Sequence, residues 1–226
     1  MAVQAQAGDE ARKTNRRMKR IRRVSWAKGT LHGVISMLRP GDLAIDCGAN
    51  VGAVTSQLAD SGADVVSFEP DPHAYGLLEE ACSGRPNVTL INAAVGLEDG
   101  RAALFRSDDF DENPKRNTIK STLIPGGRSV PADMAPAATV DQIDFPKFVR
   151  QCITERGEIA FLKFDIEGAE LDLMEHMRAD GLFDNIRFTV AETHERKYRD
   201  RAGDFAALRR RIEAQYPPTK VNLDWI

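Results

Sequence analysis

The chain is poor in cysteine, in aromatic residues and in long apolar runs, and each shortage removes a class of protein. Its three cysteines, Cys47, Cys82 and Cys152, lie far apart without metal-ligand spacing and are too few for a disulfide scaffold, so buried free thiols are expected. No stretch approaches the roughly 18 apolar residues a membrane span needs, and the N-terminus lacks the apolar core of a secretory signal. A cytoplasmic protein is the expectation. Aromatic residues make up 7% of the chain. In "ERKYRDR" only Tyr198 is interleaved with the charges, which is too little for a platform on which bases stack.

What is present has ordinary globular composition, 42% apolar and 29% charged, enough for one α/β domain with a proper core. The net charge of −3 hides an asymmetry. The run "RKTNRRMKRIRR" at 12–23 holds eight basic residues and no acid, and the remainder carries 23 basic residues against 34 acidic ones. Residues 1–24 therefore read as a basic arm and 25–226 as a single domain. The arm is either a solvated tail or a contact for an anionic partner such as nucleic acid, a phosphorylated carrier or a membrane surface.

After the arm, Trp26, Leu31, Val34, Ile35 and Leu38 recur near helical spacing until "RPGD" ends the pattern, which predicts a packing helix. Strand-like and helix-like segments then alternate. "LAIDC" (43–47), "DVVSFE" (64–69), "VTLINAAV" (88–95), "IAFLKFDIE" (159–167) and "IRFTVAETH" (186–194) read as strands, with "RAALFR" (101–106) and "KVNLDWI" as shorter additions. Asp71 and Pro72 read as the N-cap and first residue of a helix, and "VDQIDFPKFVRQCI" reads as helical. The alternation implies an α/β fold built from parallel βαβ units. The stretch 107–138, with four prolines and Gly126-Gly127, is a long loop and a candidate lid.

In such a sheet ligands bind beyond the carboxyl ends of the strands, where the strand order reverses. The strand-end residues are Asp46, Glu69, Asn92, Asp165 and Glu192, of which four are acids. A dinucleotide loop needs G-x-G-x-x-G, yet counting from Gly48 the second and third glycine positions hold Asn50 and Ala53. A carboxylate at Asp46 is misplaced beside a pyrophosphate, but it suits an ammonium group. S-adenosylmethionine carries an ammonium, a sulfonium and a ribose diol without phosphate. Glu69 would accept the ribose hydroxyls, and Asn92 or the backbone near Ala93 would lie beside adenine. A nicotinamide oxidoreductase is disfavoured by the absent glycines.

The segments "AIDCGANVGAVT", "VVSFEPDP", "VTLINAAVG", "ATVDQI" and "FLKFDIEGAELDLM", in that order over roughly residues 40 to 195, resemble the FkbM-type family of class I S-adenosylmethionine-dependent methyltransferases. The resemblance implies a Rossmann-like class I methyltransferase fold with a mostly parallel seven-stranded sheet and helices on both faces. It also implies methyl transfer to a hydroxyl of a sugar, glycan or natural product. Carried over by position, Asp46, Gly48, Asn50, Gly52, Glu69, Pro70, Asn92 and Ala93 surround the cofactor, and Asp165 faces its methionine end or the acceptor.

A hydroxyl acceptor must lose a proton, and His194 and Asp165 are the candidate bases. Thr55 either hydrogen-bonds the methionine carboxylate or caps a turn, and Ser121 and Thr122 are candidates for the lid. Asp165, Glu167, Glu192 and His194 would also suit a divalent metal, although Glu167 reads equally as the acid at the start of the next helix, and no metal is assigned. Lys163, alternating away from Leu162 and Phe164, reads as a buried ion-pair partner. An RNA-binding protein or RNA methyltransferase that docks through the arm is the alternative.

Overall fold

The computed structural model describes the backbone of residues 2–127 and 130–225; side chains are described from residue 14 on, apart from 16, 20, 128, 129 and 226. The first element, α1 (Ala2–Met37), is one continuous helix, so the arm and the packing helix share a backbone without a break. Of the arm's basic side chains, those of Arg12, Lys13, Arg16 and Arg20 lie outside the described residues, while Arg17, Lys19, Arg22 and Arg23 are exposed. The packing stripe is Ala27, Leu31, Val34 and Leu38, and Trp26 is 63% exposed. The helical period explains the correction: Ala27 leads the i, i+4, i+7, i+11 row, and Trp26 lies one residue, about 100°, off it.

Strands β1 (Leu43–Cys47), β2 (Asp64–Phe68) and β3 (Val88–Ile91) are followed by β4 (Ala94–Gly96), β5 (Gly100–Leu104) and β6 (Ala138–Asp144), and then by β7 (Ile159–Phe164), β8 (Ile186–Ala191) and β9 (Val221–Asn222). Among the described residues the main sheet has six strands in the order β3-β2-β1-β7-β8-β9, and every pairing in it is parallel. That is one strand fewer than the family resemblance implied. The segment "RAALFR" supplies β5, which pairs antiparallel with β6 in a separate three-stranded sheet together with β4. Residues 140–144 had been read as the start of a helix, because "VDQID" carries no clear period, but they belong to β6. The helix begins only at α5 (Phe145–Arg156), after Asp144 caps it and Pro146 takes an early helical position.

Both faces of the main sheet are covered. Against one lie α1, α2 (Ala53–Asp60) and α3 (Pro72–Ala81), and against the other α5, α6 (Glu170–Ala179) and α7 (Ala202–Gln215). Strand alternation distributes the residues. Ile45, Cys47, Leu162 and Phe164 join the α5–α7 side, whereas Ala44 and Phe161 join the α1–α2 side. All three cysteines are free and buried. Among the described residues no helix is long and apolar enough to cross a membrane.

Candidate functional site

The strand order reverses between β1 and β7, and the register fixes what stands at that point. Cys47 pairs with Phe68 and Phe164, Phe68 with Ile91, and Phe164 with Ala191. The first residues past the sheet are therefore Gly48, Glu69, Asn92, Asp165 and Glu192, in one row. Asp46 lies two residues inside this edge. It is paired in register with Lys163 on the α2 face, and its carboxylate takes the Lys163 ammonium at 2.9 Å and the Thr55 hydroxyl at 2.8 Å. All three side chains are buried. Burial pulls the Lys163 ammonium down, but Asp46 and Asp165 hold it above the usual lysine range.

Asp46, expected at a ligand's ammonium, is engaged in an ion pair below the loop, and Thr55, expected at a methionine carboxylate or a turn, gives its hydroxyl to Asp46. The reading of Lys163 as an ion-pair partner holds.

The turn after β1 is shaped by close approach. Gly48 has φ +79°, and a Cβ there would meet the Asp165 carbonyl oxygen at 1.8 Å; Gly52, at φ +84°, packs against Leu78 and Ala81 of α3. Three loop amides are used internally: Gly48 and Ala49 N–H both donate to the Phe68 carbonyl at 3.0 Å, and Asn50 N–H donates to the Glu69 carboxylate at 2.8 Å. Glu69 takes the Asp71 N–H on its other oxygen at 2.8 Å. Burial raises its carboxyl to about 7 against the pull of those two N–H groups. Asn50, in the left-handed region at φ 50°, leaves its side-chain oxygen buried without a hydrogen-bond partner among the described residues.

Over this row opens a solvent-facing pocket, whose empty space of about 670 Å³ includes open solvent at its mouth. Of the residues expected around a cofactor, Gly48, Asn50, Glu69, Pro70, Ala93 and Asp165 line it. Gly52, Asn92, Asp46 and Thr55 do not. Asn92 is exposed and ties the end of β3 to β2 through the Glu69 carbonyl at 2.7 Å.

The far wall comes from the proline-rich stretch, which carries a short helix, α4 (Pro114–Asn117), and places Thr118, Ile119, Ser121, Thr122 and Leu123 on the pocket. Asp71 anchors it. Its carboxylate caps α3 at His73 N–H, takes Arg106 at 2.9 and 2.5 Å, and accepts the Ser121 hydroxyl at 2.7 Å. Burial pushes the Asp71 carboxyl up, but Arg106, Ser121 and the cap together hold it below the ordinary range. A depressed folded pKa contributes stability that is present above the unfolded value, about 3.9, and is lost as pH falls through the folded value. Arg106→Met is accordingly expected to unfold at lower urea than the parent at pH 7, with the gap closing on acidification below about pH 3.9. A gap that stays constant with pH would show that the ion pair does not hold this wall.

Beyond Asp165 the acids gather around one imidazole. His194, just past β8 and 5% exposed, bonds Glu170 through Nδ1 at 2.9 Å, and its Nε2 lies 3.8 Å from Asp165 and 3.4 Å from Glu167. Burial lowers the imidazole pKa, but Glu170, Asp165 and Glu192 outweigh it and raise it to about 9. Burial and the Asp165 charge raise the Glu192 carboxyl to about 7. The buried Glu170 also accepts the N–H groups of Ile166 and Gly168 in the loop ahead of α6, and no side chain caps that helix, so Glu167 does not do the capping expected of it. Glu167 sits instead at φ 58° and pairs with Lys197. Sequence reasoning assigned no role to Glu170, although it ends the distinctive "KFDIEGAE" block; only the folded loop brings it to His194.

A parallel sheet of this order, with an acid closing β2 beside the loop after β1, defines a Rossmann-like fold of the class I methyltransferase type. A family model for the methyltransferase FkbM domain matches residues 46–216, and the chain belongs to that family. It is 29% identical over 183 residues to the 31-O-demethyl-FK506 methyltransferase FkbM of Streptomyces tacrolimicus, covering 73% of this chain and 69% of that one. It is 29% identical over 165 residues to a tRNA1(Val) (adenine(37)-N6)-methyltransferase of Actinobacillus pleuropneumoniae serotype 7, covering 69% and 64%. The chain spans less than two thirds of that protein, and 21% of a ribosomal RNA small subunit methyltransferase A of Leuconostoc citreum. Among solved structures, methyltransferase FkbM from Methylobacillus flagellatus KT matches at 19% identity with a TM-score of 0.33, covering 64% of this chain and 31% of that one.

Proposed function

We propose that the protein is an S-adenosylmethionine-dependent O-methyltransferase acting on a hydroxyl of a small-molecule or glycan acceptor. The observation that carries this reading is the loop after β1. Its Gly48, Ala49 and Asn50 amides serve the Phe68 carbonyl and the Glu69 carboxylate, the glycines of a pyrophosphate loop are absent, and a buried carboxylate, Glu69, closes the next strand where a ribose diol needs an acceptor. The unpartnered Asn50 oxygen supplies a further acceptor at the same wall. Bound S-adenosylmethionine supplies a methyl group already activated on a sulfonium. The protein's own task is then alignment and proton removal. Glu69 and Asn50 hold the nucleoside end, and Asp165 faces the acceptor and takes up its hydroxyl proton with His194 behind it. Ile119 and Leu123 keep water from the pocket.

Isothermal titration with S-adenosylhomocysteine tests the reading. Glu69→Gln is expected to weaken binding by about tenfold to a hundredfold, the worth of one charged hydrogen bond. Absence of binding by the unaltered protein would end the assignment.

A second reading keeps the chemistry and changes the acceptor to RNA. The C-terminal half of α1 packs along the sheet and β1 starts at the opposite edge, so the basic half runs out past the carboxyl ends, and Arg23 acts on Glu192 there. Loss of RNA affinity on deleting residues 2–24, with steep salt dependence in the full chain, is its signature.

A further inference from the structure

We infer that Asp165, Glu167 and His194 form a binding site for one divalent cation, of the Mn²⁺ class, at the acceptor end of the pocket. The inference rests on reading this edge as the methyl-transfer site. One ligand atom from each of the three residues falls within 4.8 Å of the others. Bonds of about 2.1 Å put neighbouring ligands of an octahedral ion about 3 Å apart and opposite ones about 4 Å apart. The observed separations of Nε2 from Glu167 and Asp165, 3.4 and 3.8 Å, lie between these limits.

A second observation is independent of the carboxylates. The His194 side chain is 3% exposed, and its Nε2 is aimed between the two acids, 3.4 Å from Glu167 and 3.8 Å from Asp165, with no hydrogen bond among the described residues. Its Nδ1 is held by the buried Glu170, which is in turn fixed by two backbone N–H groups. A carboxylate behind the second nitrogen is the arrangement that orients metal-ligating histidines. Two carboxylates with one imidazole suit a first-row ion that accepts oxygen and nitrogen together.

The neighbourhood also has negative charge to spare. Asp46, Asp165, Glu167, Glu170 and Glu192 face Lys163, His194, Lys197 and Arg23, and Lys163 is already committed to Asp46 at 2.9 Å. Lys197, whose side chain is 36% exposed, is free to swing into solvent when an ion takes its place on Glu167. Three protein ligands leave coordination positions open toward the pocket that Asp165 and Glu167 line. An ion there lowers the pKa of an oxygen bound beside it, and so takes over from Asp165 the task of making the acceptor's proton leave.

The test is Mn²⁺ titration of the full chain after dialysis against a chelator, read by the electron paramagnetic resonance signal of free Mn²⁺. One ion per chain is expected, with affinity falling at least tenfold in Glu167→Gln and in His194→Gln, and about tenfold in Glu170→Gln, which touches no ion. Circular dichroism checks that each variant is folded, and Glu167→Gln, at a loop position 20% exposed, carries the test if a fully buried variant fails to fold. No binding at about 1 mM Mn²⁺, or equal affinity in parent and Glu167→Gln, overturns the site. S-adenosylhomocysteine titration of the same samples separates the two ideas, because ligand binding without Mn²⁺ binding removes the cation alone.

Discussion

Replacing Lys163 by methionine is expected to lower the stability of the protein by about 3–5 kcal/mol, the largest effect of any conservative-sized change in this chain. The side chains of Lys163 and Asp46 are 3% and 0% exposed. Removing the ammonium leaves a carboxylate in the sheet interior with the Thr55 hydroxyl as its remaining partner. It also removes the donor that holds the Gly48 carbonyl at 3.2 Å. A domain of this size is typically stable by roughly 5–15 kcal/mol, so the variant sits near the folding threshold. Replacing both partners, Asp46→Leu with Lys163→Met, is expected to recover most of the loss, because a buried pair is costly chiefly when half of it is missing. Urea unfolding of the two variants measures this directly. A cost under about 1 kcal/mol for Lys163→Met would mean that water reaches the pair.

Gly48→Ala is expected to cost about 3 kcal/mol or more and to abolish ligand binding in whatever remains folded. A left-handed conformation costs an alanine roughly 1–2 kcal/mol by itself. The added methyl would also stand 1.8 Å from the Asp165 carbonyl oxygen, a backbone atom that cannot rotate away. Relief requires the ends of β1 and β7 to part, which strains the Asp165 N–H to Cys47 carbonyl bond at 3.0 Å and shifts Asp165 itself. Gly33→Ala is the control. That glycine lies inside α1 with nothing within 4 Å of the new methyl, and the change is expected to stabilise by about 0.5–1 kcal/mol. If Gly48→Ala behaves like Gly33→Ala, the close approach of the two strands is not real.

Much of this was legible in the residues. The βαβ alternation, the Asp71–Pro72 helix start and the failure of the dinucleotide fingerprint all follow from local chemistry, since caps, turns and strand periods act over a few residues. Strand alternation even placed Lys163 on the face opposite Leu162 and Phe164. What was less legible depends on register. Asp46 reads as a strand-end residue because the strand's last apolar residues surround it, and only the neighbouring strands show that Gly48 is the first residue past the edge. "RAALFR" and "VDQID" found each other across 33 intervening residues, which no local pattern announces.

Thus the linear order of residues decided the fold class, the family and the acidic character of the sheet's carboxyl edge, because propensity and hydrophobic period operate within single elements. Tertiary structure alone decided which acids remain available there. Parallel pairing neutralised Asp46 with a lysine 117 positions away and brought Glu170 behind His194 from another element. Charges interact through space, and distance along the chain does not measure that.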